Sequence, residues 1–114
     1  AYSVHTHVED YSKWVMALLA GKGLSASSYQ ELFQPQIAIP EDSPFRLQGV
    51  LNWTLGFAES QLPFGSLNGH GGNNPGYTSL LAFNREKKWG LVMFTNADQT
   101  DLPLQMLVYL NQET

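Results

Sequence analysis

HGGNNPGYTSLLAFNREKKWGLVMFTN, residues 70–96, is the stretch that decides the fold. Tyr77 to Phe83 and Trp89 to Thr95 are rich in β-branched and aromatic residues and read as two strands. The polar run Asn84-Arg85-Glu86-Lys87-Lys88 between them fits a hairpin loop, and Lys87-Lys88 reads as its solvated tip. Upstream, Asn74-Pro75-Gly76 turns the chain, so a further strand leading through Leu67 into His70 lies antiparallel to Tyr77–Phe83. The same stretch sits in an uncharged window. No Asp, Glu, Lys or Arg occurs between Glu59 and Arg85, and five of the ten glycines fall there: Gly65, Gly69, Gly71, Gly72 and Gly76. A Gly- and Asn-rich segment around one histidine is either buried architecture or a place where backbone meets ligand.

Outward from this core the pattern continues. Val50 to Ala58 alternates Val50, Asn52, Thr54 and Gly56 with Leu51, Trp53, Leu55 and Phe57, the period of two expected of a strand with one buried face. Gln61 to Gly65 reads as a turn, and Gln34 to Arg46, with Pro35, Pro40 and Pro44, as a loop. Before it, Tyr11, Trp14, Val15, Leu18 and Leu19 recur at helical spacing, which predicts a helix over Val8–Ala20. Thr6 is its expected N-cap, Glu9 and Asp10 suit its positive end, and Gly21 and Gly23 stop it. A shorter helix is expected over Ser27–Phe33, capped by Ser25 or Ser27. A closing helix is expected over Leu102–Gln112, with Thr100 or Asp101 as cap and Pro103 in its first turn. The order is two helices, a meander of about four antiparallel strands and a last helix: an α+β chain with an antiparallel sheet flanked by helices.

Composition narrows the function classes. The 114 residues carry 6 basic and 10 acidic side chains, a net charge of −4, with 43% hydrophobic and 12% aromatic residues. That composition supports a packed core, and the mild acidity leaves no footprint for nucleic acid. No apolar run approaches the ~20 residues of a membrane span, and polar Tyr2–Asp10 does not read as a signal peptide. Cysteine is absent, which removes thiolate chemistry and cysteine metal sites. His5-x-His7 is the one metal-like pair. Its third ligand has no matching spacing, so an exposed approach to the first helix is the favoured reading and no metal or other cofactor is called for. Trp14, Trp53 and Trp89 read as core residues.

His70-Gly71-Gly72 is the candidate site. The glycines let backbone approach a ligand, and the imidazole can hydrogen-bond or move a proton. The same tripeptide is also common as a strand end with a solvated imidazole. A lipase-type oxyanion loop would require G-x-S-x-G, which does not occur. A phosphate loop would require Lys where Tyr77 stands.

The ordered set of His70-Gly71-Gly72, Pro75-Gly76, Tyr77, Ser79, the strand Leu80–Phe83, the charged Arg85–Lys88 hairpin and Gly90–Asn96 resembles the C-terminal part of the serine β-lactamase and penicillin-binding-protein-like family. The likeness is to its class C and esterase-like branch. Thr6–Gly21 is similar to the helix ahead of that family's last strands, and Trp53–Phe57 to its Trp/Tyr-x-Leu-Gly-Trp/Phe strand. The nucleophile motif S-x-x-K does not occur: three residues before Lys13, Lys22, Lys87 and Lys88 stand Asp10, Leu19, Asn84 and Arg85. Tyr109-Leu110-Asn111 and Ser66-Leu67-Asn68 match Y-x-N and S-x-N in letters but not in place.

The resemblance implies a C-terminal segment of one β-lactamase-like domain, working by acyl transfer on a small acyl substrate and needing the rest of the domain for its nucleophile. It implies catalytic roles for His70 and for the Asn73 N–H as an oxyanion donor. It implies substrate contacts for Gly71, Gly72, Tyr77 and Asn96. Histidine in place of the family's usual lysine favours an ester, peptide or general β-lactamase-like substrate over efficient penicillin hydrolysis, because histidine as a residue type is mostly neutral at pH 7. The family also implies a periplasmic or extracellular setting. In that fold the last strand would pair with the missing N-terminal part, so that segment or another copy of the chain is expected against Leu91–Thr95. The alternative is a non-catalytic binding or interaction module that reuses the fold.

Overall fold

A computed structural model describes residues 4–98 and 101–112. Among these residues one antiparallel sheet of six strands runs in strict chain order: β1 (Ile37–Ala38), β2 (Val50–Trp53), β3 (Ala58–Leu62), β4 (Gly65–Asn74), β5 (Tyr77–Asn84) and β6 (Trp89–Thr95). Helices α1 (Val8–Leu19) and α2 (Ala26–Leu32) precede it, a single turn α3 (Pro44–Leu47) interrupts it, and α4 (Asp101–Leu110) follows it.

The helices form where their sequences put them, with small corrections at the ends. The N-cap of α1 is His7 and not Thr6; it makes no side-chain cap bond, and Glu9 and Asp10 occupy the first turn. In α2 the Ser25 hydroxyl accepts from the Ser28 N–H at 3.1 Å and caps the helix. α4 begins at Asp101, and Thr100, the other expected cap, lies outside the described residues.

Six strands replace the expected four. The alternation over Val50–Ala58 is broken at Thr54, whose N–H and hydroxyl both bond to the Phe57 carbonyl. Gly56 there takes φ +108, so the chain reverses and Ala58 starts a new strand. The expected Gln61–Gly65 turn shrinks to Pro63-Phe64, because Leu62 still pairs with Gly65. Gln34–Arg46 is not wholly loop. Ile37 and Ala38 pair with Trp53 and Asn52, and Ser43 caps the α3 turn.

Two cores result, one on each face. Val15, Phe33, Phe57, Leu81 and Phe83 pack beneath α1 and α2, and Phe83 is fully buried. Leu67, Ala82 and Leu107 pack beneath α4 with Trp89 and Leu91. This alternation of Leu81 and Phe83 against Ala82 is the period of two in β5, here buried on both faces. Gly90 lets α1 approach β6, since a Cβ there would lie 3.1 Å from Val15 Cγ1. Of the three tryptophans, Trp89 joins the α4 core and Trp53 is half-buried. Trp14 is 46% exposed, a correction to its reading as core: its ring stacks over Phe57 at 6.2 Å and shields that core from one side.

Candidate active site

β4 does two jobs along its length. Gly65 to Gly69 pair with β3 on one side, and Asn68 to Asn74 pair with β5 on the other. β3 starts at Ala58, opposite Gly69, so among the described residues His70–Asn74 has a strand neighbour only in β5. Alternate N–H and C=O groups of that half therefore point away from the sheet, as at any strand edge.

A groove of about 660 Å³ lies along this half. His70, Gly72, Ser79 and Phe94 form part of one wall, and Val4 to Thr6 with Tyr11 form part of the opposite one. Register explains the first wall. His70 pairs with Leu81, Gly72 with Ser79 and Ser79 with Phe94, so these side chains share the α1 face of the sheet. A Cβ at position 72 would lie 2.5 Å from Ser79 Oγ. Glycine therefore leaves the Ser79 hydroxyl room directly above the strand. Gly71 is less constrained: its nearest neighbour to such a Cβ is the Ser79 carbonyl at 3.7 Å.

The groove is uncharged. No Asp, Glu, Lys or Arg of the described residues lines it, which matches the charge-free window in the sequence. Tyr11 is half-buried in the opposite wall. Burial pushes its phenol above the ordinary tyrosine value of 10.0, so it stands there as a neutral hydroxyl. Its ring meets Phe94 edge-on at 5.6 Å and Trp14 at 5.3 Å, giving that end of the groove an aromatic lining.

Five of the six candidate residues come together. His70, Gly71, Gly72, Asn73 and Tyr77 all line the groove, and Tyr77 is 65% exposed at the start of β5. Asn96 does not line it; it is exposed in the bend after β6. Three other residues enter unannounced. Trp53 meets the His70 ring edge-on with centroids 6.4 Å apart. Its sequence signal pointed only to packing. Tyr11 and Phe94 read as helix and strand stripe residues, and only the α1–β6 contact brings them together. His5 and His7 separate: His5 lines the groove, while His7 Nε2 pairs with Asp10 Oδ2 at 3.1 Å. Among the described residues no group of three or more His, Cys, Asp and Glu is placed to hold a metal.

The arrangement offers an open main-chain edge, an imidazole and an aromatic, uncharged wall. That is suited to holding an extended neutral substrate by strand addition and to receiving developing negative charge on backbone N–H groups. Comparison with known proteins bears on the fold and the family. The crystal structure of a D-stereospecific amidohydrolase from Streptomyces sp. superposes with a TM-score of 0.64 at 29% identity, over 82% of this chain and 26% of that one. The chain thus spans about a quarter of that protein's length. No curated protein sequence matches it. The family model described as Beta-lactamase matches residues 1–113, the His70 strand and its hairpins included, and the chain belongs to that family.

Proposed function

We propose that residues 1–114 form one wall of the active site of a serine hydrolase of acyl-transfer type, whose nucleophile lies in polypeptide outside this segment. The reading rests on one observation above all: the His70–Asn74 half of β4 lines the groove and, among the described residues, pairs on one side only, with β5. In the proposed reaction a serine oxygen attacks the substrate carbonyl and the leaving group departs with a proton. Water then cleaves the acyl–serine bond and restores the serine hydroxyl.

This chain's residues serve that sequence from one side. The Asn73 N–H donates to the oxyanion, a term worth on the order of 10²–10³ in rate. Gly71 and Gly72 keep the edge clear for the substrate's main chain. His70 hydrogen-bonds the leaving group or the proton-transfer network, and Tyr77 packs against the acyl group. Asn96 stands outside the groove, in the bend after β6, and is given no part in the reaction. The uncharged groove favours an ester or a D-amino-acid amide or peptide over an anionic β-lactam, and the D-stereospecific amidohydrolase is a relative in keeping with that preference. β6 pairs only with β5 among the described residues, so the edge Leu91–Thr95 is assigned to the remainder of the polypeptide or to a second copy.

Hydrolysis of p-nitrophenyl esters and nitrocefin tests the reading. The 114 residues alone are expected to be inactive. The longer polypeptide with S-x-x-K is expected to turn over esters faster than nitrocefin, and His70→Ala to slow it by about 10²-fold. Serine-dependent turnover by the 114 residues alone, or a fully active His70→Ala polypeptide, contradicts it.

A further inference from the structure

The open half of β4 is held at its far end by a strap from after β6. β4 and β5 join through Pro75-Gly76, directly beyond the Asn74–Tyr77 pair. Proline has no N–H, and Gly76 adopts φ +82, a region glycine enters without steric cost. The Gly76 N–H donates to Asp98 Oδ1 at 2.9 Å, across 22 residues of chain. Two threonines reinforce the link. The Thr78 hydroxyl donates to the Ala97 carbonyl at 2.9 Å, and the Thr95 hydroxyl lies 3.1 Å from that carbonyl and 3.3 Å from the Thr78 carbonyl.

The position of this strap gives it consequence. Asn68 and Gly69 are clamped between two strands, but among the described residues His70–Asn74 is paired on one side only. A strand held on one side frays from its free end unless its turn is anchored. We infer that Asp98 is a positioning residue: its carboxylate anchors the Pro75-Gly76 turn and so fixes the Gly71–Asn74 edge against the substrate. Asp98 does not line the groove, and it acts through Gly76. The catalytic consequence rests on the proposed acyl-transfer reading; the anchoring itself does not.

Hydrogen exchange and kinetics on the full polypeptide test both parts, with Asp98→Ala and Asp98→Asn. Asp98 is exposed, so both variants are expected to fold, with Tm lowered in Asp98→Ala by no more than the few degrees one hydrogen bond supplies. Asp98→Ala is expected to speed exchange of the 71–77 amides by about fivefold to tenfold, the factor one lost hydrogen bond supplies, with Phe83 and its neighbours unchanged. Its kcat on a p-nitrophenyl ester is expected to fall by a similar factor with KM little moved, because the edge matters most when charge develops. Asp98→Asn keeps an Oδ1 acceptor and is expected to restore both. Unchanged exchange in Asp98→Ala, or an Asn variant as impaired as the Ala variant, overturns the anchoring. Faster exchange with unchanged kcat overturns the positioning role. Faster exchange in a polypeptide with no serine-dependent turnover sinks the hydrolase reading and leaves the strap standing.

Discussion

Gly69→Ala is the substitution whose cost follows most directly from backbone geometry. A Cβ at position 69 would lie 2.4 Å from the Leu81 carbonyl oxygen and 3.4 Å from Ala82 Cα. Both belong to the backbone of β5, so no side-chain rotation relieves the contact. β5 would have to retreat by roughly 0.6 Å to reach the 3.0 Å floor of real Cβ contacts. It cannot do so freely, because Leu81 and Phe83 on one face and Ala82 on the other lock it into both cores. Overpacking a fixed core costs about 1–3 kcal/mol, and the alanine recovers at most ~1 kcal/mol through a less flexible unfolded chain. A net loss of about 1–2 kcal/mol is expected in the urea-unfolding free energy. Gly71→Ala is the control: its nearest contact is 3.7 Å, so it is expected to stay within ~0.5 kcal/mol of wild type. Equal stability of the two variants would refute the reasoning that the β5 backbone leaves no room for a Cβ at position 69.

Phe83→Ala empties a fully buried site against Phe33 and Phe57 and is expected to cost about 3–5 kcal/mol in the same unfolding assay. Arg85→Met removes a guanidinium 4.1 Å over the Phe33 ring and its 3.0 Å bond to Asn68 Oδ1. Asn68 is buried and its Nδ2 has no partner among the described residues, so the variant strips it of that bond and is expected to lose about 1–3 kcal/mol by urea unfolding. Tyr11, raised by burial, ionises later in the folded than in the unfolded protein. Its contribution to stability is present below the unfolded value of about 10 and is lost as pH rises through the higher folded value. Ultraviolet titration of Tyr11→Phe is therefore expected to lack one late-titrating phenol.

What the sequence made legible follows physical lines. Tyr77–Phe83 and Trp89–Thr95 were readable because their alternation and charged hairpin are local. α1 was readable because its stripe repeats through three turns. β1 was not, since Ile37 and Ala38 are both exposed and only their pairing to β2 makes them a strand. The break at Thr54 hid behind an alternation that ran straight through the turn, because Phe57 re-enters the core from the far side of it. At the site, His70 to Asn73 and Tyr77 were legible as a glycine-rich strand and turn. Trp53, Tyr11, Phe94 and Asp98 were not, because each acquires its place from a partner distant in sequence.

The central claim is that this segment lines a serine acyl-transfer site without supplying its nucleophile. Fluorophosphonate labelling of the full polypeptide, followed by peptide mass spectrometry, tests it most directly. One adduct is expected, on the serine of an S-x-x-K outside residues 1–114, with none on the segment by itself. An adduct on Ser79 or any other serine within the segment, or no adduct at all, contradicts the account.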